Sequence, residues 1–385
     1  MSRYILLLII TFQFLMLCPY HYLASQNAFN SDKTSYTGSD STPTLEPWGR
    51  IELLAIGTDQ NIGIIDAGSR TGIRIKQKMN SDITLFGGIE LSMSLAGSGG
   101  FTLSPDNSTQ TGFLNVVNPP SDNVFNLRKG FVGADFNKYG TVSIGKQYTS
   151  YYDVAGKTDI SENNSGFASF VFSPQGTDGG SSGTGRASNS VYYRNTTGPL
   201  KYAASAQFHL DEGKFKTVLN SLGGSVIYQF PFKLNIGAAY HQVFLDPYVG
   251  TRIRGLNANP FYTAVCANYT SDKWFFGVTY AYEENGDLTT VNDSTVVFSG
   301  QGLEVSVMWT PIKKWNLLCG VGYKQPKNVD PLINKDYKLV IYFYGLQFEP
   351  VKNILLFFEG AVDNSITETG ASKPSNISVG CKFDF

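Results

Sequence analysis

The sequence predicts an all-β fold, a transmembrane antiparallel β-barrel of about 16 strands. From residue 48 onward, apolar and polar residues alternate in segments of about ten residues, the pattern of half-buried strands. Short turns and longer polar connections separate these segments alternately. The chain holds 40 glycines, 27 phenylalanines and 22 tyrosines, yet after residue 26 it contains no apolar run of the roughly 18 residues that mark a spanning helix.

The N-terminal residues 1–26 have the pattern of a secretory signal peptide. Arg3 precedes an apolar run over residues 4–17, and the small residues Ala24 and Ser25 follow. Residues 27–47 are rich in serine, threonine and aspartate, which predicts a flexible leader without a core of its own. The barrel domain is predicted over residues 48–385.

Charge and cysteine content exclude several classes of partner. Without Arg3 the chain carries 29 basic and 31 acidic residues, a net charge of −2, which does not favour a nucleic acid or another polyanion. The remaining cysteines, Cys266, Cys319 and Cys381, lie singly in apolar-aromatic segments without metal-ligand spacing. We therefore predict no cofactor and no metal.

The two ends of the predicted barrel differ in the length of their connections. Tight turns follow every even segment, for example 80–82 and 137–140, and polar, usually longer connections follow the odd ones. The longer connections are predicted over 96–124, 152–184, 246–258, 285–299 and 326–336. This sidedness is typical of a barrel threaded many times through the outer membrane of a Gram-negative bacterium, with lipid around it.

Alternation also predicts the two faces of single strands. In residues 377–385, the apolar set that begins with Ile377 and ends with Phe385 is predicted to face outward, with Ser378, Lys382 and Asp384 inward. Glu359 marks the inward face of the preceding segment. Outward side chains would face hydrocarbon, and inward ones a water-filled lumen.

The connection after the fifth segment, residues 152–184, is the third on the side with the longer connections and is called the third loop below. It is the candidate functional element. Its flanking strands carry Arg128 and Arg186, and its first residues include three acids, Asp153, Asp159 and Glu162. Long loops inside compact domains are usually functional or disordered. If this loop folds into the barrel, opposite charges face each other across the lumen and form a filter.

Lys129 conflicts with strict alternation. If Arg128 points inward, Lys129 points outward with Phe131, and a lysine facing lipid costs about 2–4 kcal/mol at the midplane. Either Lys129 lies near the rim of the barrel, or this part of the wall contacts a neighbouring subunit.

The chain resembles the general diffusion porins of Gram-negative bacteria. The resemblance is carried by SRTGIRIKQKMNSDITLFGGIEL over residues 69–91, by FNLRKGFVGADFNKYGTVSIGKQYTSYYDVAGKTD over residues 125–159, by GRASNSVYYRNTTGPLKYAASAQF over residues 185–208 and by VGCKFDF at the C-terminus. It implies a homotrimer of 16-stranded barrels, each narrowed by an inward-folded third loop, through which small hydrophilic solutes and ions diffuse without a cofactor.

The resemblance also implies which residues form the constriction. On the basic wall, the family's arginines match Arg70, Arg128 and Arg186. On the acidic loop, one family carboxylate matches Asp159. The next falls on Asn163, with Glu162 beside it, so the loop tip departs from the family pattern. Wall arginines favour anions and loop acids favour cations, and the ion preference stays open.

Other classes of function have weaker support in the sequence. An enzyme needs a nucleophile or an activated water with a positioned base, and neither His209 nor His241 lies within such a motif. A sugar- or anion-specific channel would use the tyrosines near the loop; these are Tyr148, Tyr151, Tyr152, Tyr192 and Tyr193. An adhesin would need larger folded loops.

Overall fold

The computed structural model describes residues 42–59, 61–96, 124–171, 182–208, 218–245, 253–291, 294–327 and 330–385. The predicted signal peptide and most of the predicted leader lie outside the described residues. The first strand begins at Thr44, so the last residues predicted as leader, from Thr44 to Pro47, belong to the barrel wall.

Seventeen strands form one antiparallel sheet. They are β1 (Thr44–Gly57), β2 (Ile62–Asp66), β3 (Arg70–Lys78), β4 (Thr84–Met93), β5 (Phe125–Asp135), β6 (Thr141–Tyr148), β7 (Arg186–Thr197), β8 (Leu200–Phe208), β9 (Leu219–Gln229), β10 (Leu234–Val243), β11 (Phe261–Thr270), β12 (Trp274–Val291), β13 (Ser294–Ile312), β14 (Trp315–Lys327), β15 (Leu339–Phe348), β16 (Ile354–Asp363) and β17 (Asn376–Asp384). Both β2 and β3 pair with β1, end to end, and act as one interrupted strand. The structure is therefore a 16-strand barrel, as predicted.

The barrel closes where the last strand pairs with the first. Arg50 lies opposite Asp384 in this pairing, and Gly57 lies opposite Ile377. The Arg50 guanidinium also binds the Asp384 carboxylate, with Nε 2.6 Å from Oδ1. Closure gives the backbone groups of β1 and β17 partners that an open sheet edge would lack, which a wall inside a membrane requires.

The strands present one apolar face and one polar face. In β17 the exposed fractions are 37% for Val379 and 42% for Phe383, against 1% for Ser378 and 3% for Lys382. This confirms the alternation predicted for the last strand, and Glu359 in β16 is likewise fully buried on the inward face. We call the face that carries the exposed apolar side chains outward, and the opposite face inward.

The sided connections are confirmed, with one exception. Tight turns such as 79–83, 198–199 and 313–314 join strands at one end of the barrel. The polar connection predicted over 285–299 is wrong, because β12 and β13 continue as a paired hairpin to Val291 and Ser294. Side chains of this hairpin, Phe298 among them, form a small apolar cluster with Ile333 and Tyr337.

One short helix, α1 (Ser150–Ala155), follows β6 and runs into a single 3₁₀ turn, Gly156–Thr158. Tyr151, Val154 and Ala155 of this helix are fully buried. They pack against inward-facing side chains of the wall, among them Ile227 of β9 and Ala264 of β11. Among the described residues, no helix has the length and apolar character needed to cross a membrane.

Candidate functional site in the barrel wall and the third loop

A β-bulge shapes the basic part of the wall. Glu90 pairs with Lys129, whereas the next residue of β4, Leu91, pairs with Leu127, so Arg128 is an extra residue in β5. Such an insertion shifts the alternation of the strand by one position. The prediction that Lys129 points outward is therefore wrong. Its side chain points inward, where its Nζ lies 2.5 Å from Oε2 of Glu90.

Glu90 binds two cations at once. Its Oε1 accepts a hydrogen bond from Nε of Arg128 at 2.9 Å, and its Oε2 contacts Lys129. The side chains of Glu90 and Lys129 are 4% and 6% exposed, whereas Arg128 keeps 17% of its side chain accessible. Arg128 is thus the accessible cation of this group, and Glu90 holds it in place.

Tyr148 connects this group to Arg186. Nη1 of Arg186 donates a hydrogen bond to the Tyr148 hydroxyl at 3.3 Å, and Nζ of Lys129 lies 5.5 Å from the centre of the Tyr148 ring. Tyr152 of α1 stacks on Tyr148 with 4.0 Å between ring centres. The two tyrosines therefore bring the start of the third loop to the basic wall.

Arg70 lies farther along the same wall, opposite Arg50 in the pairing of β1 and β3. Its electrostatic neighbours include Arg50, Arg128 and Glu90. The structure thus places Arg70, Arg128 and Arg186 on β3, β5 and β7, every second strand of one sector of the wall. It adds Arg50 and Lys129, which the sequence analysis did not select.

The three loop acids lie in different surroundings. The carboxylate of Glu162 is 2.5 Å from Nζ of Lys382 in β17. Asp153 accepts a hydrogen bond from the Tyr192 hydroxyl and lies 3.6 Å from Arg194 in β7.

Asp159 is hydrogen-bonded within the loop itself. It accepts a hydrogen bond from the Ser165 hydroxyl at 2.9 Å. Burial, followed by repulsion from the Glu304 carboxylate, raises the pKa of Asp159 to about 7. The Asp159 carboxyl is therefore close to half-ionised at neutral pH, unlike an exposed aspartate.

Two wall carboxylates hold the loop backbone. Glu359 in β16 accepts hydrogen bonds from the backbone N–H groups of Glu162 and Asn163, at 3.1 and 3.2 Å, and from the Ser161 hydroxyl. One carboxyl group has two acceptor oxygens, so Glu359 can hold several loop groups at once.

Glu304 in β13 acts in the same way farther along the loop. It accepts from the N–H groups of Gly166 and Ala168, at 2.9 and 3.3 Å. Gly302 on the same strand permits this approach, because a Cβ at residue 302 would lie 1.9 Å from the Ala168 carbonyl oxygen. The sequence analysis missed Glu304, and its inward position in an alternating strand was the available signal.

The family model that matches this chain is described as Gram-negative porin, and the match covers residues 55–329. That range is more than two thirds of the chain. The search of curated protein sequences found no match to this chain.

Three solved structures illustrate the proteins with the same fold. OmpF of Salmonella typhi in complex with daunomycin has a TM-score of 0.69 and 17% identity, and the match covers 89% of this chain and 97% of that chain. OmpT of Vibrio cholerae, folded in vitro and in a trimer form, has a TM-score of 0.62 and 18% identity, with coverage of 89% and 99%. The anion-selective porin of Comamonas acidovorans has a TM-score of 0.62 and 14% identity, with coverage of 89% and 100%. At these identities the likeness concerns the fold.

Proposed function

Because the chain belongs to the Gram-negative porin family, whose members are outer-membrane channels with many membrane-crossing strands, we propose that it lets small hydrophilic solutes and ions diffuse passively. The wall supports this function. Polar and charged side chains on its inward face, such as Lys382, suit a water-filled passage, while exposed apolar side chains such as Phe383 suit lipid.

The third loop narrows the passage in this proposal. The observation that carries it is the pair of inward-facing carboxylates, Glu359 and Glu304, that hold the loop backbone over residues 162–168. Side chains on the inward face can reach a loop only where that loop lies within the barrel. The passage then runs between this loop and the basic wall of β3 to β7.

Charges on both sides of this passage form the filter. Arg70, Arg128 and Arg186, the last bonded to the Tyr148 hydroxyl, belong to the wall, and Asp159, Glu162 and Asp153 belong to the loop. Charged side chains in a narrow passage set ion preference by their field, while its width sets the size limit. No step in this function makes or breaks a covalent bond.

The assembly is proposed to be a homotrimer. Outward faces of β3, β4 and β6 carry exposed aliphatic side chains, among them Ile73, Ile89 and Ile144, whereas those of β12 and β13 carry Trp274 and Trp309. OmpT of Vibrio cholerae, which has the same fold, was solved in a trimer form, and this supports the proposal; the outward aliphatic side chains suit contact with lipid or with a second copy. Chemical crosslinking of the purified protein should give a ladder that ends at the trimer; a monomer alone contradicts this assembly.

Liposome swelling tests the passive function. Vesicles that contain the protein should swell at rates that fall steadily as the test sugars become larger, because only size excludes a neutral solute. Vesicles that swell with no sugar contradict passive diffusion. Uptake that saturates with one sugar or anion replaces the general channel with a solute-specific one.

A further inference from the structure

Phe170 lies near the middle of the third loop and has an unusual backbone conformation. Its φ is 58°, in the left-handed region, which is uncommon for a bulky residue and usually persists only where the surroundings enforce it. The ring is 1% exposed. Such strain at a buried aromatic residue suggests that the position of this ring matters to the loop.

Lys324 of β14 covers the Phe170 ring. Its Nζ lies 4.5 Å from the ring centre, and its side chain is 2% exposed. A cation over an aromatic face is attracted by the ring, more strongly when both are shielded from water. Burying a charged lysine side chain costs free energy unless groups of opposite charge lie beside it.

Two acids of β12 hold the Lys324 ammonium. Asp287 contacts Nζ directly, and Oε1 of Glu283 lies 3.7 Å from it. The pairing of β12 with β13 shifts between Glu283 and Asp287, and Asn285 within the shifted stretch has a φ of 49°. Residues four positions apart in a strand lie on the same face, and the two extra residues of β12 in this stretch bring both carboxylates within reach of Lys324.

The wall beneath Phe170 is shaped to receive its ring. A Cβ at Gly300 of β13 would lie 3.3 Å from the ring, closer than ordinary contact. On either side of Phe170 the loop is also tied to itself. The Tyr151 hydroxyl donates to the Ser169 carbonyl at 2.9 Å, and the Thr184 hydroxyl donates to the Val171 carbonyl at 2.7 Å.

We infer that Phe170, Lys324 and Asp287 form a latch that positions the middle of the third loop and thereby sets the width of the passage. Asp287 orients Lys324, and Lys324 holds the ring of Phe170 against the wall. Both lysine and aspartate are positioning residues, since they act on the passage through Phe170. This inference rests on the proposed function, in which the third loop narrows the channel.

Single-channel recordings of Phe170→Leu and Lys324→Met test the latch. Phe170→Leu removes the ring and leaves the ion pairs of Lys324 intact, whereas Lys324→Met leaves two buried carboxylates without their cation. The matched control is Lys327→Met, because Lys327 is exposed on the same strand. Thermal dissociation of the oligomer shows that each variant has folded.

Both Phe170→Leu and Lys324→Met should raise the open-channel conductance and its noise beyond the spread between wild type and Lys327→Met. In a Phe170→Leu background, Lys324→Met should add little, since the lysine acts through the ring. Conductance and noise at the wild-type level in both single variants overturn the latch. A wild-type protein that gives no conductance steps overturns the proposed function, and the latch with it.

Discussion

The Lys129 ammonium lies 2.5 Å from the Glu90 carboxylate, on the inward side of the barrel wall. Arg128 contacts the same carboxylate, so two positive charges share one negative charge. Within this group the net charge is +1, and Arg70 and Arg186 add to it from β3 and β7, two strands away on either side of β5. The wall therefore presents an excess of positive charge to the passage.

Replacing Glu90 with glutamine should increase the preference for anions. The substitution removes the carboxylate that offsets Arg128 and Lys129 and keeps the shape of the side chain. Breaking a buried pair typically costs about 3–5 kcal/mol, so the thermal stability of the barrel should also fall. Reversal potentials in a salt gradient measure the first effect; a shift toward cations contradicts the assignment.

Arg128→Ala and Arg186→Ala should each widen the passage and shift selectivity toward cations. Two unit charges at roughly 4 Å in water interact with an energy of about 1 kcal/mol. We therefore expect a several-fold change in the ratio of anion to cation permeability. The matched control is Lys138→Ala, which removes a positive charge from an exposed turn. Unchanged reversal potentials in both arginine variants remove these residues from the filter.

Gly302→Ala should displace the third loop. The added methyl group would meet the Ala168 carbonyl oxygen at 1.9 Å, and overpacking of this kind typically costs about 1–3 kcal/mol. Gly322→Ala is the control, because its Cβ would lie 3.8 Å from Ala168, an ordinary contact. We expect altered conductance in Gly302→Ala alone; equal conductance in the two variants argues against the close approach.

Selectivity should depend on pH through Asp159. Its pKa is raised from 3.8 to about 7, so the native state binds this proton more tightly than the unfolded state does. The resulting stabilisation is complete below pH 3.8 and is lost as the pH rises through about 7. Over the same range the loop gains a negative charge, and the preference for cations should increase.

Asp159→Asn removes this titration. Its reversal potential should change less with pH than that of the wild type. A wild-type profile that is itself flat through neutral pH shows that Asp159 does not titrate there.

The alternation of polar and apolar residues alone predicted which side chains of the barrel wall face inward and which face outward. The period of two assigned the faces of β17 and the inward position of Glu359, because strands in a closed barrel separate lipid from water at every second residue. Arg70, Arg128 and Arg186 were selected from the resemblance, and the structure places them on β3, β5 and β7 of one wall sector. Their role in the filter remains a prediction.

The remaining features depend on strand register, which a single sequence does not reveal. Lys129 was assigned to the wrong face because the bulge at Arg128 shifts the alternation, and a bulge is defined only by the partner strand. The hairpin over 285–299 was missed because its apolar residues pack on a distant loop that contains Ile333. Lys324 and Phe170 are 154 positions apart, and only the folded barrel brings them together.

The most direct test of the account is the conductance of the purified protein in a planar lipid bilayer. A water-filled barrel predicts large, stepwise current increments that rise linearly with voltage, with a reversal potential in a salt gradient set by the charges of the filter. The absence of such steps would contradict the channel itself.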